Sequence, residues 1–218
     1  LVLVLGHTAR SDEGGWGINR LIVVTNPAPT DTDQFGYRLV VYGGTNWAVS
    51  APYRDTEVTN AGVVYVYSRL GELSRIITNP APRGDDQFGS VLAGVFTNQL
   101  AVRARGESTN GGVVYVFDAD GALVRQVENP TPGSGDSFGK SLGDLDQRIL
   151  LIGADGDDTL PDYEGSVYLF DGAGSLVTNV ENPNPSMGET FGIDLTGLGS
   201  SNFVVGANQH FSGAYSYP

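Results

Sequence analysis

One phrase recurs four times in this chain, and it constrains the fold more than anything else. TNPAPTDTDQFG (25–36) returns as TNPAPRGDDQFG (78–89), ENPTPGSGDSFG (128–139) and ENPNPSMGETFG (181–192). The asparagine of each Asn-Pro-x-Pro falls at Asn26, Asn79, Asn129 and Asn182, at intervals of 53, 50 and 53 residues. A period near fifty means that one structural unit is copied along the chain and that neighbouring copies must bury each other.

The unit at 129–181 reads as four short strands. Its prolines exclude helix at the start, because proline lacks a backbone donor and forces the preceding residue to be extended. Asp136-Ser137-Phe138-Gly139 leads into KSLGDLD, a short strand with a turn. RILLIGAD (148–155) is an apolar run of strand length, and GDDTLPDYEG (156–165) is a polar loop. SVYLFD (166–171), a Gly-Ala-Gly turn and SLVTNV (175–180) read as a hairpin.

The third-strand pattern returns as GVVYVY (62–67), GVVYVF (112–117) and GSVYLF (165–170), and in GAYSY (213–217). The second-strand pattern returns at 46–52, 99–105 and 202–208. The opening LVLVLGH (1–7) reads as a fifth copy of the second strand, with GGWGINR (14–20) in the third-strand place.

Four-stranded antiparallel units repeated every ~50 residues predict an all-β fold, a β-propeller. The expected blade units are 1–25, 26–78, 79–128, 129–181 and 182–218, about five in number with three complete. The chain is then a single domain, and either an imperfectly closed ring, a piece of a larger propeller or a processed fragment. Open edges of such a piece favour self-association into an oligomer or filament. Phe35, Phe88, Phe138 and Phe191 are the expected plugs between blades. The acid two places before each (Asp33, Asp86, Asp136, Glu189) is placed to accept backbone N–H bonds in the turn.

These residues resemble the FG-GAP repeat. The resemblance rests on the Phe-Gly pair, the strand ending in a Gly-Ala-Pro variant and the Gly-x-Val-Tyr-Val-Phe strand. That last-but-one element is degraded here to Ser50-Ala51-Pro52, Arg103-Ala104-Arg105, Gly153-Ala154-Asp155 and Gly206-Ala207-Asn208. The repeat builds the integrin α-subunit propeller and bacterial surface proteins. The resemblance therefore implies an extracellular or cell-surface protein, bacterial in type, that works by adhesion, binding or assembly. It also implies that calcium could sit between the first and second strands, where alternating Asp residues converge on the cation. The corresponding loops are short here; Asp144 and Asp146 are the nearest match.

Composition narrows the partners. The net charge is −13, and eleven of the twelve basic residues are Arg, the one lysine being Lys140. An acidic chain without a basic cluster is a poor partner for nucleic acid or anionic lipid. There is no cysteine, so disulfides and thiolate metal sites are excluded. No apolar run reaches the ~18 residues of a membrane helix, and LVLVLG is too short for a signal peptide.

Candidate chemistry is sparse. Asp155, Asp157, Asp158 and Asp162 form a second acidic group that could hold Ca²⁺, with a solvated turn as the alternative. No other cofactor is expected. Gly135-Asp136-Ser137-Phe138-Gly139 matches the elbow of serine hydrolases, but it lies in a blade junction rather than a strand-turn-helix. His7 and His210 are the only histidines. Trp47, Tyr53 and Tyr163, with Trp16, lie in or near loops and could form sugar platforms; edge packing is the alternative. The reading is a non-enzymatic surface protein that binds a protein or glycan. A lectin-like propeller and an enzyme with a pocket on the propeller face are the alternatives.

Overall fold

The computed structural model describes residues 2–10, 16–106, 111–133, 135–157, 165–183 and 189–208. All regular structure among them is antiparallel β, in sixteen strands. The first hairpin is β1 (Val2–Arg10) with β2 (Trp16–Thr25). Three four-stranded meanders follow. They are β3 (Leu39–Tyr42), β4 (Asn46–Ala51), β5 (Val63–Tyr67) and β6 (Leu73–Thr78); β7 (Leu92–Val95), β8 (Gln99–Ala104), β9 (Val113–Phe117) and β10 (Leu123–Glu128); and β11 (Ser141–Leu145), β12 (Ile149–Ala154), β13 (Ser166–Asp171) and β14 (Leu176–Glu181). A last pair joins β15 (Asp194–Leu198) to β16 (Asn202–Gly206).

Burial follows strand position within each meander. The second strands β4, β8 and β12 are buried along nearly their whole length, with no alternation. A strand reads this way when both of its faces are covered. The fourth strands β6, β10 and β14 are mostly exposed.

The cores lie between sheets rather than within them. One cluster joins Val64, Val66 and Ile77 of the first meander to Leu100, Val102 and Tyr115 of the next, with Phe88 among them. Another joins Val114, Val116 and Val127 to Leu150, Ile152 and Tyr168 around Phe138. Phe191 sits among Leu151, Val167 and Leu195, and Phe35 among Val24, Val49 and Tyr65. All four phenylalanines are buried, as the spacing predicts. The rings of Phe35, Phe88 and Phe138 meet those of a third strand edge-on or tilted, Phe138 lying 5.8 Å from Tyr168 and 6.2 Å from Phe170.

The first strands β3, β7, β11 and β15 lie side by side in that order. Their approach is close enough to demand glycine. A Cβ on Gly94 would stand 2.7 Å from the Val41 carbonyl oxygen, and one on Gly197 would stand 2.2 Å from that of Asp144.

The opening hairpin corrects the sequence reading. LVLVLGH is not a second strand. β1 pairs with the strand directly before Asn26, with Val2 opposite Thr25 and Leu5 opposite Ile22. Third strands pair with fourth strands in the same register: Val63 lies opposite Thr78 and Val113 opposite Glu128. Residues 16–20 do not form a separate strand either; Trp16 opens the ten-residue β2. The first unit thus contributes two strands among the described residues, and there are four second strands, not five. An alternating Val/Leu run carries no mark of its place in the meander, so only pairing could assign it. The segment 213–217 lies outside the described residues.

Candidate functional site

The repeated phrase folds into one polar clasp. Asn79 Nδ2 donates to Asp86 Oδ2 at 2.6 Å, and the Asn129–Asp136 and Asn182–Glu189 pairs match it at 2.6 Å. Asn26 donates to Asp33 at 3.0 Å. The same carboxylate oxygens accept the backbone N–H of Thr30, Arg83 and Gly133. The side-chain carbonyls of Asn26, Asn79 and Asn129 in turn accept the N–H two residues on, at Ala28, Ala81 and Thr131. This Asx turn lets a proline-rich segment keep its few donors satisfied. Asp33, Asp86, Asp136 and Glu189 are all buried. The backbone half of the clasp follows from the residue types. The asparagine half was missed, although the seven-residue spacing from Asn to acid is the same in all four units.

The carboxylates named for calcium have protein partners. Asp144 accepts the N–H of Phe96 at 2.7 Å and of Gln147 at 2.8 Å, tying two neighbouring sheets together. Asp146, with φ 53°, opens the tight β11–β12 turn and lies 3.7 Å from Arg148 Nε. Asp155 pairs with Lys140 at 3.6 Å. Asp157 is buried and accepts from the Tyr168 hydroxyl, which also shares a 2.5 Å hydrogen bond with Thr131. Burial, with the Asp157 bond next, pushes the Tyr168 phenol well above its ordinary value. Asp158 and Asp162 lie outside the described residues, and no group of three or more potential metal ligands occurs among the described ones.

The aromatic candidates separate. Trp47 is not in a loop but in β4. It is buried, stacks on Tyr67 at 4.7 Å and donates from Nε1 to the Ser68 carbonyl at 2.7 Å. Its ring is spent on packing, which corrects the sugar-platform expectation for this residue. Tyr53 is half-buried and meets Tyr37 edge-on at 6.3 Å. Tyr163 lies outside the described residues. The Ser137 hydroxyl donates to the Gly135 carbonyl within its own turn, at 3.2 Å.

One buried charge stands apart from these networks. Arg103, near the end of β8, is only 6% exposed. The matching positions at the ends of β4, β12 and β16 are Ser50, Gly153 and Gly206. Its stem lies against the next Phe-Gly pair, 3.0 Å from where a Gly139 Cβ would stand. Its Nε donates to the Phe138 carbonyl at 2.9 Å. No carboxylate among the described residues forms an ion pair with it. Arg105, Asp155 and the Tyr37 phenol are its electrostatic neighbours. Burial first, then the Arg105 charge, lowers its pKa to about 10, so it remains a cation at neutral pH. Tyr37 is 42% exposed and shares the lining of a groove with Asn26 and Asp33 of the first clasp. Sequence reading recorded Arg103-Ala104-Arg105 only as a degraded motif. The signal was a long cation where the other units carry Ser or Gly.

No family model matches the chain, and no curated protein matches it. A solved structure described as "Crystal structure of the eukaryotic initiation factor" is similar over 78% of this chain, with a TM-score of 0.47 and 14% identity. The chain spans 40% of the length of that structure.

Proposed function

We propose that this chain is a run of β-propeller blades of the FG-GAP type, and that it serves as a non-enzymatic binding or assembly module of an extracellular or cell-surface protein. The observation that carries this reading is the fate of the repeated polar residues. The asparagine and the acid of every copied phrase are consumed in bonding each other within the linker that joins one sheet to the next. The side-by-side first strands and the phenylalanine seams between sheets agree with blades set about a common axis. Such a scaffold presents loops, and its function lies in what those loops touch.

Two measurements together test the reading. Small-angle scattering with native mass spectrometry should return either a closed ring-like particle or a discrete oligomer of open units. Adhesion of the purified chain to cells or to an immobilised glycan array should be saturable. A monodisperse, elongated monomer that binds neither cells, glycans nor itself would sink the proposal. The lectin reading is weakened by the burial of Trp47, and what remains for it among the described side chains is the Tyr37–Tyr53 pair.

A further inference from the structure

We propose that the end of the sheets formed by Arg103, Arg105 and Lys140 is a binding site for an oxyanion, a carboxylate above all. The site stands on local geometry and does not depend on how many sheets the whole protein carries.

A guanidinium placed among apolar strands loses its water, and it persists only where fixed dipoles or an opposite charge replace that hydration. Arg103 has a single neutral partner, the Phe138 carbonyl on its Nε. That bond leaves the two terminal nitrogens, the pair whose parallel N–H bonds suit a planar carboxylate. Neither forms an ion pair among the described residues, although the whole side chain is withdrawn from water.

Two further cations stand close in the fold, in a chain that is otherwise strongly acidic. Arg105 follows two residues on, with an exposed side chain and a main-chain N–H that donates to the main-chain carbonyl of Asp86 at 2.6 Å. Lys140 follows the Gly139 that Arg103 packs against and pairs with Asp155, which is also an electrostatic neighbour of Arg103.

The same carboxylate chemistry could arrive as a free sugar acid or as a uronate within a polysaccharide, so the test uses both. Free glucuronate and a uronate tetrasaccharide are titrated into the intact chain, followed by calorimetry and by thermal unfolding. Binding by either supports the site; free glucuronate binding as well as the tetramer identifies a monomeric ligand, and binding of the tetramer alone identifies a polymer. A saturating ligand should raise the melting midpoint by about 5 °C, and the affinity should fall with added salt. Arg103→Met should remove binding while keeping the apolar stem against Gly139. Arg105→Ala, on an exposed side chain, should weaken binding about tenfold with the melting midpoint of the free protein unchanged. Absence of binding by both probes at millimolar concentration, or binding unaltered in Arg105→Ala and in a folded Arg103→Met, would overturn the proposal.

Discussion

Asp86 shows what a single carboxylate does in this chain. It is buried, yet it accepts from the Asn79 amide and the Arg83 N–H, so its lone pairs are spent on donors fixed in place by the proline turn. Asp86→Ala leaves both donors without an acceptor in a site closed to water. The expected loss is about 3 kcal/mol of unfolding free energy, read from a urea titration; a loss under half that would mean water replaces the carboxylate. Tyr67 carries the pH dependence of the same region. Burial, then the neighbouring Tyr65, pushes its phenol up to about 12 from an unfolded value near 10. The fold thus prefers the neutral phenol, and this contribution is complete below pH 10 and is lost as pH rises from there through 12. Absorbance titration of the tyrosinate should show no Tyr67 ionisation near pH 10 while the protein stays folded, with Tyr67→Phe as the difference control. At this scale the sequence is legible where chemistry is local. An acid before Phe-Gly announces a turn acceptor. A buried arginine does not announce itself, because residue type alone says nothing of which strand end is sealed by the next sheet.

Among elements, the middle strands were readable and the reason for their glycines was not. VVYVY, VVYVF and SVYLF are β-branched and aromatic throughout, and they fold as β5, β9 and the start of β13 where the pattern placed them. The glycine ahead of each looks like turn punctuation. In the fold it is a docking point. Gly112 has φ 132°, and a Cβ there would stand 2.4 Å from the Phe138 carbonyl oxygen; Gly62 and Gly165 meet Phe88 and Phe191 in the same way. Gly112→Ala therefore pushes one sheet off the next and should cost about 3 kcal/mol, with a lower urea midpoint at an unchanged slope. Phe138→Ala empties the seam between the β7–β10 and β11–β14 sheets and should cost about 4 kcal/mol. Hydrogen exchange in that variant should rise in β9 and β12 together. A rise confined to β12 would mean that the phenylalanine belongs to one sheet only. The first hairpin was misread for an equally physical reason. LVLVL fits any covered strand, and its place was decided by backbone pairing with β2, a contact that no residue type encodes.

At the scale of the molecule, every seam among the described residues joins units that are neighbours in sequence. Phe88 links the β3–β6 sheet to the β7–β10 sheet, and Phe138 links the latter to β11–β14. Among these meanders no core cluster spans two units with a third between them. Stability then accumulates seam by seam, as it does in other stacked repeats. The number of copies was legible from the period; the distribution of strands at the beginning of the chain was not, since it depends on register. One consequence reaches past this particular polypeptide. Duplicating or excising one fifty-residue stretch of the gene would leave every junction facing a surface it already fits, so such chains can change length across generations without relearning how to fold.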